Sequence, residues 1–172
     1  MLGASMIQRS GSSRRRGLFV AAILLGLTAP AFALAAQLSP AHDVTEAAAF
    51  RALHSDLMVA ALICRNDQTT GVVGIHNQFV TRFQPLLAKS AQTLEGHFAA
   101  TTSAAQARVM LDNMTTRIAN AASLRFNRRG ETCGQTAARF SPLLKMAPQQ
   151  ILDHAFDIYG TAPTLVALLR GQ

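Results

Sequence analysis

The sequence predicts an all-α protein: an antiparallel bundle of four to five helices closed by one disulfide, Cys64–Cys133. Three observations predict it. Apolar residues recur at spacings of three and four through the segments after residue 43. No stretch alternates with the period of two that a half-buried strand requires. Both cysteines occupy positions on apolar stripes. At 172 residues the chain has room for one domain. Its 49% apolar and 15% charged content suits a packed core and excludes a disordered polar chain.

Residues 1–35 read as a cleavable export signal, which leaves 36–172 as a single helical domain. Arg14, Arg15 and Arg16 supply the positive start, and Leu18 to Leu27 is an uncharged apolar run. Pro30 breaks that run, and Ala33-Leu34-Ala35 fits the small-x-small rule, with the cut between Ala35 and Ala36. Ala31-Phe32-Ala33 offers an alternative cut. A permanent membrane span needs about 20 consecutive apolar residues, and Thr28 and Pro30 interrupt the stretch here. No cysteine stands at the cleavage region, which argues against a lipoprotein. Arg15-Arg16 followed by Gly17-Leu18-Phe19 is a loose twin-arginine match; a general export route is the simpler reading. A start at Met6 would leave the leader intact. The expected location is periplasmic or secreted, touching the membrane only transiently through the leader.

The net charge of +7 does not indicate a nucleic-acid partner. Arg9, Arg14, Arg15 and Arg16 account for four of the 16 Lys+Arg, so a chain starting at Ala36 carries twelve against nine Asp+Glu. Only Arg125, Arg128 and Arg129 cluster in it, whereas phosphate binding needs several cations on one face. Those three read as a solvated helix end.

Cys64 and Cys133 are the two cysteines. In an oxidising compartment such a minimal even set reads as one bridge. Neither C-x-x-C nor a Cys/His metal spacing is present, so redox and zinc readings lack support.

Along the domain, 37–42 is a short linker containing Pro40. Asp43 with Glu46 three residues later marks a capping-box-like helix start. Phe50, Leu53, Leu57, Ala61 and Cys64 then form one helical face. Residues 65–74 read as a loop. A second helix is expected over 75–99, with Ile75, Phe79, Phe83, Leu87, Ser90, Leu94 and Phe98 as its stripe and a bend at Pro85. Ser103 with Gln106 starts a third helix with the face Ala107, Leu111, Met114, Ile118, Ala121 and Leu124; Gly130 stops it. Cys133, Ala137, Phe140 and Leu144 mark a fourth helix that Pro142 kinks. Pro148 at the first helical position opens a fifth segment, 149–159, on Ile151, Leu152, Ala155, Phe156 and Tyr159. A short terminal helix is expected over 164–169.

Candidate chemistry is sparse. His54, His76, His97 and His154 lie on predicted helices, and His42 in the linker. His54 and Asp56, two apart, do not share a face, whereas His154 and Asp157, three apart, do, with Asp153 nearby. A His–carboxylate pair can bind metal weakly or shuttle a proton, but is usually a surface hydrogen bond. There is no C-x-x-C-H haem attachment, no Glu-x-x-His pair for iron and no G-x-S-x-G elbow. Phe79 and Phe83, facing Phe50, Phe140 and Phe156, read as core rather than as a pocket lining. Asn113-Met114-Thr115 matches a glycosylation sequon but falls in mid-helix. No cofactor is expected and no catalytic or metal site is assigned.

Leu53-His54-Ser55-Asp56-Leu57-Met58-Val59-Ala60-Ala61-Leu62-x-Cys64, followed by Asn77-x-Phe79-Val80-x-x-Phe83-x-Pro85-x-Leu87, resembles a family of small exported bacterial helical proteins with two cysteines. Cys133 after a basic helix end fits as well. The resemblance covers residues 50–145 and departs from the pattern at 69–74, an extra loop. It implies a disulfide-linked helical domain and carries nothing on mechanism.

The expected function is therefore that of a non-catalytic periplasmic accessory or binding protein whose partner is another envelope protein. The alternative is a small-molecule or metal carrier with a pocket between helices. An envelope enzyme with a dispersed site is the third reading.

Overall fold

The computed structural model describes residues 41–170. The leader and the Ala35–Ala36 cut lie outside the described residues. Among those described there are six α-helices, one 3-10 turn and no strand. They are α1 (His42–Ile63), α2 (Val72–Ala99), α3 (Ala104–Arg129), α4 (Cys133–Phe140), the 3-10 turn (Ser141–Lys145), α5 (Pro148–Tyr159) and α6 (Pro163–Leu169). The expected all-α, disulfide-closed bundle is observed: the five helices expected through residue 159 and the short terminal helix make six.

The centre of the fold is α1. It packs against α2, α3 and α5 and touches α4 and α6. It is buried on nearly every side, which corrects the single stripe expected from Phe50, Leu53, Leu57 and Ala61. The reason is side-chain size. Ala47, Ala48, Ala49, Ala52, Ala60 and Ala61 let neighbouring helices approach all round, so apolar periodicity understates the buried surface. The helix starts at His42, one residue earlier than expected, and no side chain caps Ala41. The Asp43–Glu46 capping pair is therefore not formed. Asp43 instead accepts from the Val44 amide at 2.9 Å within the first turn, where an acid favours the helix dipole.

Gly71, at φ 68°, turns the chain into α2, a conformation that costs glycine little. Val72, Ile75, Phe79, Phe83, Ser90, Leu94 and Phe98 are buried as a continuous stripe. The bend falls at Phe83 (φ −106°, ψ 18°), two residues before Pro85, whose ring excludes the normal turn there.

The start and stop of α3 match the sequence. Ser103 Oγ accepts from the Gln106 amide at 3.3 Å, and Gly130 closes the helix at φ 59°. Its buried face is not the expected one at the far end. Leu124 is 61% exposed, while Ala122 is buried and Arg125 turns toward Asp56 of α1. A period of 3.6 carries the face from Met114 and Ile118 to Ala122 and Arg125, so the apolar residue lost the position to a cation with a buried partner.

Cys64 and Cys133 form a disulfide with Cα atoms 5.7 Å apart, inside the range such a bridge spans. Cys64 follows the last turn of α1 and Cys133 opens α4. The two meet because Ala52 lines one cavity with Ile118 and Ala121, and Asp56 pairs with Arg125. Helices α1 and α3 thus run in the same direction, and the end of α3 delivers α4 beside Cys64. A reciprocal capping box, absent from the sequence reading, fixes that start. Thr132 Oγ1 accepts from the Gln135 amide at 3.3 Å, and Gln135 Oε1 accepts from the Thr132 amide at 2.9 Å. At Pro142 the helix tightens rather than kinks. The three-residue period of the resulting 3-10 turn buries Leu143 where Leu144 was expected.

Phe50, Phe79, Phe83 and Phe140 are fully buried, as expected of core residues. Each contributes about 1.5–3 kcal/mol of apolar transfer. Phe156 is half-buried and stacks on His42, ring centroids 4.7 Å apart.

Candidate functional site

Two polar seams run along α1, and they differ in whether their charges find partners. The first is centred on Asp56, whose side chain is only 3% exposed. An isolated buried carboxylate is costly, so it must be paired and hydrogen-bonded. Arg125 of α3 donates to Asp56 Oδ1 from Nη2 at 2.6 Å and from Nε at 3.2 Å. Tyr159 of α5 donates to Oδ2 at 2.5 Å. Arg129 lies 3.7 Å from the same oxygen. The Arg125 guanidinium also sits over the Tyr159 ring, 5.3 Å from its centroid, a favourable cation–π placement. Burial, then the Asp56 charge, holds the Tyr159 phenol well above its ordinary value, so it remains a donor.

The seam continues toward α4. Arg129 lies 4.0 Å from Glu131, and Arg139 donates to Glu131 from Nη2 at 3.0 Å. Arg139 also covers the Phe140 ring at 4.0 Å. Acids and bases are thus matched through this network, which joins α1, α3, α4 and α5 beside the disulfide. Arg125 and Arg129 are structural ties, which corrects their reading as a solvated helix end. Arg128 alone of the three stays exposed away from the acids and donates to the Leu124 carbonyl at 3.3 Å.

The second seam is formed by Arg51 and His54, one turn apart on α1, and by His76 of α2. The two imidazoles stack with centroids 5.6 Å apart, and His54 also stacks on Phe79 at 6.2 Å. The Nε2 atoms of His54 and His76 are both buried without a hydrogen-bond partner. Burial, then the neighbouring His76 and Arg51, pushes the His54 imidazole down to about 4. Burial also lowers Arg51, with no carboxylate to offset it. His54 and Asp56 face different partners, as their spacing predicts.

The remaining sequence candidates do not converge. His97 meets the Leu169 carbonyl at 3.0 Å. Asp153 accepts from Gln149 at 2.9 Å, and no bond joins His154 to Asp157. Among the described residues no group of three or more His, Cys, Asp or Glu side chains could hold a metal ion. A cavity of about 60 Å³ lies beside Arg125 and Tyr159, and a cleft of about 130 Å³ lies among Asp43, Glu46, Lys89 and Thr93. Both are small beside the roughly 300–1,000 Å³ of an ordinary ligand pocket, whereas a third, of about 550 Å³, is an open surface depression among Asn77, Gln78, Thr81, Arg82 and Leu144. No described helix is long and apolar enough to cross a membrane.

Sequence reasoning missed the first seam because its members stand far apart, 69 positions for Asp56–Arg125 and 103 for Asp56–Tyr159. A signal existed. Arg51 and Asp56 are the two formal charges in the largely apolar segment from Ala47 to Ile63, and a charge there needs a partner from another helix. No family model, curated protein or solved structure matches this chain.

Proposed function

We propose that the protein works outside the reducing cell interior, after losing residues 1–35, as a non-catalytic accessory or binding protein with an envelope partner. The observation that carries this reading is the Cys64–Cys133 disulfide, which belongs to oxidising compartments. The leader pattern of residues 1–35 and the resemblance to small exported two-cysteine proteins support it. The buried Asp56 network serves the same reading, because its members spend their polar groups on one another. Exposed Leu62, Ile63 and Leu124 offer apolar contact surface for a partner. The test is fractionation of cells making the full-length chain, followed by N-terminal sequencing. Expected is a product outside the cytoplasm that begins at Ala36. A full-length product confined to the cytoplasm overturns the reading.

A second reading, a small-molecule carrier, is favoured by one specific observation: Arg51 without a carboxylate partner stands one turn from His54, which stacks on His76, and both Nε2 atoms lack partners.

A further inference from the structure

We infer that Arg51, His54 and His76 form a binding site for a small oxyanion, a carboxylate or phosphate group, whose arrival adds protons to the imidazoles. The inference rests on the carrier reading and names its ligand class.

Two independent observations meet at this place. Of the described arginines, Arg51, Arg125 and Arg139 are the three that are neither fully buried nor exposed. Arg125 has Asp56 and Arg139 has Glu131. Arg51 has neither hydrogen bond nor ion pair with a described residue. A guanidinium drawn partly out of water without a counter-charge is unfavourable, and its fork of donors matches an oxyanion. Separately, the buried side-chain atoms of the described residues that lack a partner are His54 Nε2 and His76 Nε2. Unsatisfied polar atoms of this kind are rare and mark a strained or functional place. The unmet polar demand of the bundle is thus concentrated in three side chains on two adjacent helices.

The charge balance selects an anion over a metal cation. The groups acting electrostatically on His54 are His76 and Arg51, both cationic when protonated. Asp56, the nearest acid along α1, is already held by Arg125, Arg129 and Tyr159. Glu131 on the loop before α4 is held by Arg139, and Arg82 of α2 donates to the Met146 carbonyl. A metal ion here would face a guanidinium and no carboxylate. An oxyanion would face one fixed cation and two imidazoles that become donors on protonation. Binding therefore raises the affinity of His54 for a proton, and by linkage the affinity for the anion rises as pH falls. Because the two Nε2 atoms are sealed from solvent while Arg51 is part-exposed, the Arg51 side chain is the part that moves to admit the anion.

Isothermal titration of the oxidised protein with inorganic phosphate and with acetate, in buffers of different ionisation heat, tests this. Expected is saturable binding of at least one of them, with net proton uptake, that strengthens as pH falls from about 6.5 toward 5, inside the window between the ordinary histidine value and the lowered one of about 4. Arg51→Met keeps the aliphatic stem and should weaken binding roughly tenfold or more. His76→Phe keeps the ring stack and should weaken binding and reduce the proton uptake. Lys89→Gln should leave both unchanged, and circular dichroism confirms that each variant is folded. No saturable binding of either anion overturns the inference, as does binding that survives Arg51→Met in the folded variant. So does tight binding of zinc or copper lost in His76→Phe, because the imidazoles would then hold a cation. None of these failures touches the accessory-protein reading, which is judged on compartment and N-terminus.

Discussion

Tyr159 donates its hydroxyl to Asp56 Oδ2 at 2.5 Å. One bond thereby joins α5 to the middle of the central helix. The chain has a single tyrosine, so its titration reports on this contact without interference. Phenolate absorbance should appear well above pH 10 in the folded protein and return to about 10 in denaturant. The sign follows from the raised phenol: its contribution to stability is full below pH 10 and is lost as pH rises beyond that. A normal titration in the folded protein would show that the phenol is not held by Asp56.

Asp56→Ala should destabilise the fold by about 3 kcal/mol, toward the low end for a broken buried ion pair because the Arg125 head is partly solvated. The loss leaves Arg125 without a counter-charge and Tyr159 without an acceptor. The double variant Asp56→Leu with Arg125→Met should recover much of it, since replacing both charges by apolar groups removes the desolvation cost. Denaturant unfolding of Asp56→Leu, Arg125→Met and the double variant measures this. Strict additivity would show that the residues do not interact.

These contacts also show where sequence reading reaches its limit. The helix starts at Ser103 and Pro148 and the stop at Gly130 were legible because caps and prolines act locally. The disulfide was legible because only one pairing exists. The central position of α1 was not, since alanines carry little periodic signal yet permit contact on all sides. The exposure of Leu124 was not either. It follows from Arg125 being drawn to an acid 69 residues away, a long-range constraint that local spacing does not contain.

Half-buried His54 contributes to the acid limb of stability. Its imidazole is pushed down to about 4 by burial first and by His76 and Arg51 after that. A lowered imidazole means the unfolded chain binds the proton more readily, so stability is lost as pH falls from about 6.5 toward 4. The loss from this group is at most about 3 kcal/mol, and less with solvent screening of its exposed edge. His54→Phe should flatten the fall in denaturant midpoint between pH 7 and pH 4.5. An unchanged slope in the variant would place the acid sensitivity elsewhere.

Phe79 and the misplaced Leu124 separate core from surface. Phe79→Ala should cost about 3–5 kcal/mol, because a fully buried ring leaves a cavity. Leu124→Ser should change stability by less than about 0.5 kcal/mol, since the side chain is mostly in water. Thermal unfolding of both variants checks the pair. Equal losses would contradict the observed face of α3.

The bridge between Cys64 and Cys133 supports both the architecture and the proposed compartment. Closing a loop of 69 positions is worth roughly 4 kcal/mol in the chain-entropy model. The direct measurement is intact mass of protein recovered from its own cells, alkylated before and after reduction. Expected is a mature chain that takes up no alkyl group until it is reduced, and then takes up two. Two alkyl groups on the unreduced protein would mean free thiols, and the oxidised bundle and its place outside the cell interior would both fall.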